Sequence, residues 1–199
     1  MGKTRTPTGE TGRQTFTRSA RRDQIIGVAI GLLAEHGYAG VSLSQIAERA
    51  GVTKPTVLYH FSDKADIVRA AYEHVLTALV TEVGAAVDAA EVADRPAAYV
   101  RSMIAHLSEH PLHIRTSIEA LTRIGNDADP SARWRPLADL LAAARQARES
   151  GRDRRDDRTD ALIIGGAIDA IVVEKLHDPD YDSAQAAEEV VGLIETRFI

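Results

Sequence analysis

The sequence has no cysteine among its 199 residues, and this absence excludes several kinds of chemistry. Disulfide bridges, zinc sites built from thiolates and cysteine nucleophiles all require that side chain. The N-terminus also lacks the apolar core of a secretory signal, and the longest apolar run, Ala161 to Ile168, is too short to span a bilayer. We therefore expect a cytoplasmic protein without a membrane partner.

Alternating apolar segments, which a β-sheet would need, are lacking as well. Apolar residues instead recur at helical spacing from Asp23 almost to the C-terminus, so we expect an all-α fold. Residues 1–20 have almost no periodic apolar content and are predicted to be a disordered basic tail. Two polar links, Gly125 to Pro130 and Ser150 to Arg158, separate later helices. A first helical stripe ends at Gly37 and consists of Ile25, Ile26, Ala29, Leu32 and Leu33.

Charge is distributed unevenly along the chain, whose overall net charge is −5. Residues 1–64 carry nine Lys or Arg and five acidic residues, which gives +4, and the remaining residues carry 15 basic and 24 acidic residues, which gives −9. A basic N-terminal part is suited to phosphate groups even when the whole protein is acidic. The pattern favours a nucleic-acid contact in the first part and a different role for the rest.

The segment from Val41 to Phe61 has the pattern of a helix-turn-helix. Ser42 followed by Gln45 forms a capping box, which predicts a short helix that starts near Leu43. Gly51 ends this helix because glycine tolerates the positive φ of a tight turn. A second helix can therefore follow after only a few residues.

Small polar residues open the second helix. Thr53 is its expected cap, and Pro55 lies in the first turn, where a missing N–H costs little. We expect Val57, Leu58 and Phe61 to be its buried anchors. The outer face is left to Lys54, Thr56, Tyr59 and His60. Such a pair of helices is typical of a motif that inserts its second helix into the major groove, and the alternative is an ordinary helical hairpin.

Four separated pieces of this region agree with one known pattern: Gly37-Tyr38, Ile46-Ala47, Ala50 to Thr56, and Tyr59 to Phe61 followed by Lys64. Together they resemble the TetR family of bacterial regulators over about residues 23 to 68. The resemblance implies a homodimer of roughly nine helices per chain. It implies an N-terminal three-helix DNA-binding domain with the helix-turn-helix, here residues 21–64, and a C-terminal helical ligand-binding and dimerisation domain, here residues 65–199.

The resemblance also implies which residues contact DNA. Ser42, Ser44 and Lys64 correspond to positions that bind phosphates. The positions that would face base edges are Thr53, Lys54, Pro55 and Thr56. Tyr59 and His60 would touch the backbone or a thymine methyl group. Lys54 is expected to read a guanine.

Two points about these contacts stay open in the sequence. Many family members have a tyrosine where this chain has Leu58, so Tyr59 either takes over a phosphate contact or packs at the edge of the domain. The basic residues Arg18, Arg21 and Arg22 either enter the adjacent minor groove or remain solvated.

Two C-terminal helices are predicted to form a dimer interface. The segment from Ala161 to Val173 is apolar nearly all round, so both its own core and a partner should cover it. The last helix has one apolar stripe, formed by Ala184, Ala187, Val190, Val191, Ile194 and Phe198. Paired with a second copy, these helices fit a four-helix interface, and the alternative is that both pack within one chain.

A mainly apolar effector pocket is expected among the fifth to eighth helices. Its predicted walls are Met103, Leu107, Ile118, Leu121, Leu141 and Ile168. Polar or aromatic contacts are assigned to Tyr99, His106, Ser117, Thr122, Trp134 and Asp169. Each of these residues taken alone is more often structural than ligand-binding.

Three histidines, His106, His110 and His113, raise the question of a metal site. Pro111 should end the helix and send His113 onto another element, and no H-E-x-x-H motif accompanies the set. We therefore expect neither a metal nor a cofactor.

The function that these features predict is a DNA-binding transcriptional regulator, in particular a repressor that a small-molecule effector releases from a palindromic operator. Activation would use the same parts, and a dimeric DNA-binding protein without an effector is a further possibility. The alternative from another class is an all-helical ligand-binding protein or enzyme whose early hairpin is only structural. No G-x-S-x-G, phosphate-binding glycine loop or acid pair beside a nucleophile supports catalysis, so we expect no enzyme activity.

Overall fold

The computed structural model of the protein describes residues 10–124, 130–148 and 156–199. Within these ranges it contains nine α-helices and no strand, which confirms the all-α prediction. The helices are α1 (Glu10–Gly40), α2 (Leu43–Arg49), α3 (Lys54–His60), α4 (Lys64–Asp88), α5 (Arg95–Glu109), α6 (Pro111–Ile124), α7 (Arg135–Ala147), α8 (Asp157–His177) and α9 (Ser183–Leu193). None of these helices is long and apolar enough to cross a membrane.

The chain divides into two compact units. The first comprises Met1–His74 and Arg115–Ile124, and the second comprises Val75–Ile114 and Gly125–Ile199. This division differs from the predicted boundary after residue 64. The reason is that the first turns of α4 supply apolar side chains to the core of the first unit: Ile67, Val68, Ala70 and Ala71 are all buried.

The core of the first unit is built on α1. Its predicted stripe is fully confirmed, because Ile25, Ile26, Ala29, Leu32 and Leu33 are all buried. The helix begins at Glu10, however, so the prediction of a disordered tail is wrong for residues 10–20, and residues 1–9 lie outside the described residues. Extending a helix that is already nucleated adds one hydrogen bond per residue and needs no apolar face of its own.

The core of the second unit lies among α5, α7, α8 and α9. The face of α8 that packs into it carries Ala161, Ile164, Ile168 and Val172, at the spacing of one helical face. The stripe of the last helix packs into the same core, where Ala187, Val190, Val191, Ile194 and Phe198 are buried. Ala184 is exposed instead, so its assignment to that stripe is wrong.

Arg145 joins two helices and the C-terminus within this unit. Its guanidinium pairs with Asp157 and with Asp160, and its Nε donates a 2.6 Å hydrogen bond to the carbonyl oxygen of Phe198. Asp160 is buried, so Arg145 neutralises a charge that has little access to water.

Candidate nucleic-acid interface

The first helix of the motif begins at the predicted capping box. The Ser42 Oγ accepts a 3.2 Å hydrogen bond from the Gln45 amide, and the Ser42 amide donates to the Gln45 Oε1 at 2.8 Å. The helix is followed by Gly51, which has a φ of 64° and therefore occupies the left-handed region that favours glycine. Both local predictions are confirmed.

The second helix, α3, also begins as predicted. The Thr53 Oγ1 accepts a 3.3 Å hydrogen bond from the Thr56 amide, and Pro55 lies in the first turn. Val57 is fully buried, whereas Leu58 is 44% exposed, so its prediction as a buried anchor is wrong. Helix α3 has only seven residues and packs along one ridge, from Val57 to Phe61, and Leu58 lies about 100° around the helix from that ridge.

Most of the predicted DNA contacts lie on the exposed surface of this motif. Those that are exposed are Ser42, Ser44, Thr53, Lys54, Pro55 and Tyr59, and those that are partly exposed are Thr56, His60 and Lys64. The Ser42 hydroxyl is held in its cap, where it also donates to the Gln45 Oε1 at 2.8 Å. Lys54 projects from the first turn of α3, and an exposed cation at that position is suited to a guanine edge in the major groove.

Lys64 is held more firmly than the sequence indicates. Its Nζ donates hydrogen bonds to the carbonyl oxygens of Tyr38, at 2.7 Å, and Val41, at 2.8 Å. Two of its three ammonium protons are therefore used to join the start of α4 to the backbone between α1 and α2. A phosphate contact by Lys64 remains a prediction that would use the third proton.

The N-terminal part of α1 lies against the C-terminal end of α3. The Arg18 Cζ is 5.2 Å from the centre of the Tyr59 ring, and the Arg22 Cζ is 4.9 Å from the centre of the Phe61 ring. The Tyr59 and His60 rings meet edge to face at 5.1 Å. Sequence reasoning left these arginines in a tail, although Arg18 and Arg22 continue the helical spacing of the buried α1 stripe.

The charges of this region act on His60. Burial is the main cause that lowers the pKa of His60 below its usual 6.5, and the positive charges of Arg18, Arg22 and Arg21 lower the pKa further. No acidic residue is among the causes. Three arginines of α1 therefore place positive charge near the end of α3.

A contact that the sequence did not predict stabilises the turn at the end of α1. Gly37 has a φ of 65°, and the next amide, that of Tyr38, donates a 2.9 Å hydrogen bond to the Glu119 Oε2. A Cβ at Gly37 would lie 3.2 Å from the Glu119 Oε1. No local pattern could have revealed this contact, because it joins residues far apart in the chain.

The residues of the predicted effector pocket are divided between the two units. Ser117 and Ile118 belong to the first unit, where Ile118 is 53% exposed and borders a shallow cavity of about 270 Å³ beside Gly37. The side chains of Leu121 and Thr122 lie outside the described part of the structure. Ser117 and Ile118 lie in the first unit because α6 contributes its later turns to it, and their assignment to the effector pocket stays a prediction.

The second unit holds the remaining predicted pocket residues around its core. Leu141, Ile168 and His106 are buried, Asp169 is exposed, and four are partly buried against the core: Tyr99, Met103, Leu107 and Trp134. Burial, assisted by the negative charge of Asp169, raises the pKa of Tyr99. Two residues predicted to line the pocket, Leu141 and Ile168, therefore belong to the packed core of the second unit.

The three histidines do come together, contrary to the sequence-based expectation. The His106 Nδ1 is 2.5 Å from the Glu82 Oε2, and its Nε2 is 3.4 Å from the His113 Nδ1. The His110 ring stacks on His106 at 4.5 Å. Pro111 begins a new helix as predicted, but only His110 separates the two helices, so the chain returns His113 to His106.

The geometry of this cluster is unsuited to a shared metal ion. The His106 and His110 rings are parallel within 9°, so their in-plane lone pairs cannot converge on one ion. Among the described residues no group of three or more His, Cys, Asp or Glu is arranged to hold a metal. A hydrogen bond from His106 is the main cause that lowers the pKa of Glu82, and burial acts in the opposite direction.

Known bacterial regulators share this helix-turn-helix region, and one of them is similar over most of the chain. Residues 25–71 match the profile described as "Bacterial regulatory proteins, tetR family". The HTH-type transcriptional repressor AcnR of Corynebacterium diphtheriae is 29% identical over 189 residues, which are 89% of this chain and 90% of that protein.

Solved structures share the fold over nearly the whole chain. The fatty acid degradation regulator FadR from Bacillus halodurans has a TM-score of 0.72 and 22% identity, and the match covers 89% of this chain and 99% of that one. The structure of AibR in complex with isovaleryl coenzyme A and operator DNA has a TM-score of 0.64 and 23% identity, and covers 87% and 97%.

Proposed function

This chain belongs to the TetR family of bacterial regulatory proteins, and on that premise we propose that it is a homodimeric repressor that a small-molecule effector releases from a palindromic operator in the cytoplasm. As a DNA-binding transcriptional regulator of this family it is not an enzyme. The observation that carries the proposal is the geometry of α3, which is capped at Thr53, anchored by Val57 and Phe61, and exposed at Lys54.

Sequence recognition is assigned to the exposed face of α3. This helix enters the major groove, where Lys54 donates to the O6 and N7 acceptors of a guanine and Thr56 and Pro55 face neighbouring base edges. The phosphate contacts of Ser42 and Ser44 fix the register of the helix on the duplex but carry no sequence information.

The repressor role is supported by AcnR, which is named a transcriptional repressor and aligns with 89% of this chain. A repressor of this design binds as a two-fold dimer, so each protomer reads one half-site and the operator is palindromic. The two half-site centres then lie about one helical turn of DNA, or a multiple of it, apart.

The homodimer is assigned mainly to the outer face of α8. Leu162 is 50% and Ile163 55% exposed, and Val173 is exposed as well. Gly166 lies on the same side, and a Cβ added there meets no atom within 4 Å, which leaves space for a partner helix. Leu193 adds an exposed apolar side chain from α9. Apolar side chains at helical spacing on an exposed face are the kind of surface that a second copy covers.

An effector site is assigned to the second unit, among α5, α7 and α8. Met103, Leu107 and Trp134 are only partly buried there, so rearranging them costs less than opening the packed core. AibR, which shares the fold, was solved with both isovaleryl coenzyme A and operator DNA. A ligand that binds the DNA-free conformation more tightly than the DNA-bound conformation shifts the population of the protein away from the operator. The size of this shift is set by the difference between the two affinities.

The experiment that tests the proposal is selection of binding sites from random DNA duplexes by the full-length protein. We expect enrichment of a palindromic site whose affinity falls steeply as salt is raised. Compounds that raise the thermal unfolding temperature of the protein are then added to the complex, and an effector should release the DNA. Failure to bind any duplex at low salt would refute the DNA-binding role.

A further inference from the structure

The histidine cluster, which consists of His106, His110 and His113, lies where three helices of the second unit meet. His106 and His110 belong to α5 and His113 to α6, and Glu82 reaches the cluster from α4. All four residues are part of the second unit. The buried His106 is central, because its Nδ1 contacts the Glu82 carboxylate and its Nε2 contacts the His113 Nδ1. One imidazole ring therefore joins α5 to both α4 and α6.

The hydrogen bonds of His106 determine which nitrogen atoms carry protons. The Glu82 carboxylate can only accept, so the His106 Nδ1 carries a proton and donates it. In a neutral His106 ring the Nε2 is then an acceptor, and the His113 Nδ1 must donate to it across the 3.4 Å contact. The contact between the two rings therefore contains a single proton.

A second proton on this contact breaks it. When both rings are fully protonated, the His106 Nε2 and the His113 Nδ1 are both donors, and neither can accept. The two positive rings also repel each other, and the His110 ring, stacked on His106 at 4.5 Å, adds a third positive charge when it is protonated. Histidine side chains take up protons between about pH 8 and pH 5. Mild acid therefore replaces an attractive contact by a repulsive one.

The surrounding charges compensate only part of this repulsion. Glu82 stays ionised while histidines take up protons, because the hydrogen bond from His106 lowers the pKa of its carboxyl group. On α5 and α6 themselves the nearest charged residues in sequence, Glu109 and Arg115, are exposed to solvent. The charged groups of the other elements packed on α5 interact elsewhere: Glu188 with Arg101, Asp169 with Tyr99, Arg145 with Asp157 and Asp160, and Arg148 with Asp94.

We propose that the histidine cluster is an acid-sensitive latch, in which a second proton on the contact between His106 and His113 releases the start of α6 from α5. Only His110 separates the two helices, so release changes the angle between them at that residue. The inference deepens the proposed function and rests on it, because it makes acid a signal that weakens operator binding.

Helix α6 connects the latch to the first unit. Beyond His113 the same helix continues into that unit, where the buried Thr116 donates a 3.4 Å hydrogen bond to the Ile30 carbonyl oxygen of α1. One turn later Glu119 accepts the hydrogen bond from the Tyr38 amide. A movement at the start of α6 therefore reaches the end of α1 along one continuous helix.

An open latch lowers the affinity for a palindromic operator. Both protomers must present their α3 helices at one spacing, and a released α6 divides the protein among more conformations. The apparent affinity falls in proportion to the fraction of molecules that fit the operator. By reciprocity, operator binding opposes uptake of the second proton by the cluster.

The test compares proteins that differ at His113. His113→Asn retains an amide donor near the position of the Nδ1 and takes up no proton. His177→Gln is the matched control, because His177 is an exposed histidine of the same unit outside the cluster. All proteins carry His60→Gln, because a phosphate beside His60 would change operator binding with pH in the opposite direction. The His60→Gln protein is called the parent.

Hydrogen exchange at the junction of α5 and α6 measures the opening of the latch. The His110 amide donates to the His106 carbonyl oxygen at 3.0 Å, and the His113 amide donates to the His110 carbonyl oxygen at 2.9 Å. One blocked proton predicts that protection of these amides in the parent falls about tenfold from about pH 7.5 to about pH 5.5, after correction for intrinsic exchange. His177→Gln should follow the parent, and His113→Asn should keep its protection.

A second measurement needs no substitution in the cluster. The chemical shifts of the imidazole nitrogens in the parent report the protonation of His106 and His113. We expect the second proton to arrive over the same pH range in which the amides lose protection. Opening without this proton would overturn the latch, even if His113→Asn failed to fold.

Operator binding tests the regulatory part of the proposal. The probe is the duplex selected in the previous experiment. The affinity of the parent should fall about tenfold between the two pH values, which is a usual size for coupling between two sites. His113→Asn should retain its affinity, and His177→Gln should lose as much as the parent.

The outcomes separate the latch from the proposed function. Equal loss of protection in the parent and in His113→Asn would overturn the latch while the repressor proposal stands. Loss of protection at an unchanged operator affinity would overturn regulation by acid. If the parent binds no duplex at neutral pH and low salt, the proposed function fails, and hydrogen exchange still decides whether the cluster opens in acid.

Discussion

Lys64 and Tyr38 make two contacts with each other: the Lys64 Nζ donates a 2.7 Å hydrogen bond to the Tyr38 carbonyl oxygen and lies 3.9 Å from the centre of the Tyr38 ring. The same ammonium group also donates to the Val41 carbonyl oxygen at 2.8 Å. A lysine at the start of α4 thus closes the first unit by binding backbone that precedes the helix-turn-helix.

The first prediction concerns the stability of this closure. Lys64→Met retains the alkyl chain but removes both hydrogen bonds, and we expect the free energy of unfolding to fall by about 2 kcal/mol. Urea unfolding followed by circular dichroism measures the change. Unaltered stability, combined with weaker DNA binding, would show that Lys64 acts on phosphate alone.

Base reading by Lys54 is the second prediction. Lys54→Ala should reduce the preference of the protein for its selected site over the same site with one base pair changed by about tenfold, because a guanine contact contributes about 1–3 kcal/mol of discrimination. Binding is measured for a series of single base-pair variants. An equal loss across the series would instead make Lys54 a phosphate contact, and Arg69→Ala serves as the control for charge.

The third prediction follows from the pKa of His60, which is lower in the folded protein than the usual 6.5. As pH falls below 6.5 the unfolded chain takes up a proton at this position before the folded protein does, so the free energy of unfolding decreases. Burial beside Tyr59 and Phe61 is the main cause of the lower pKa, and the positive charges of Arg18, Arg22 and Arg21 on α1 add to it.

His60→Gln should therefore flatten this part of the stability profile. Urea unfolding between about pH 5 and 8 compares the two proteins. When DNA is bound, we expect a nearby phosphate to raise the pKa of His60 instead of lowering it. DNA binding should therefore tighten as pH falls. If the stability profile of His60→Gln ran parallel to that of the wild-type protein, His60 would not be the source of this pH dependence.

Dimerisation through α8 is the basis of the fourth prediction. Ile163→Glu places a charge on the proposed interface and should raise the dimer dissociation constant by about 100-fold or more, because the carboxylate would be buried without a partner. Analytical ultracentrifugation measures the constant. Val92→Glu is the matched control, since Val92 is also an exposed apolar residue of the second unit, at 38% exposure. Equal effects of the two variants would place the interface elsewhere.

Arg145 supplies the fifth prediction. Arg145→Ala leaves Asp160 buried without its partner, and we expect a loss of about 3 kcal/mol in the free energy of unfolding. Arg148→Ala removes a longer, 3.4 Å contact with the exposed Asp94 and should cost about 0.5 kcal/mol or less. Thermal and urea unfolding distinguish the two, and similar losses would argue against burial as the cause.

The sequence by itself determined the features that depend on near neighbours in the chain. The Ser42–Gln45 capping box, the Thr53 cap and the positive φ of Gly51 each involve residues within a few positions, so local chemistry was sufficient to predict them. The α1 stripe was equally predictable, because the spacing of apolar residues along the sequence indicates which residues share one face of a helix.

Only the tertiary structure decided which distant side chains meet. Leu58 is exposed because α3 packs along a single ridge. The Glu119 carboxylate accepts a hydrogen bond from the Tyr38 amide although many residues separate the two in the chain. His113 returns to His106, and Arg18 reaches Tyr59, because helices that are separate in sequence pack side by side. Such contacts depend on how helices pack in three dimensions, and no local pattern in the chain records that packing.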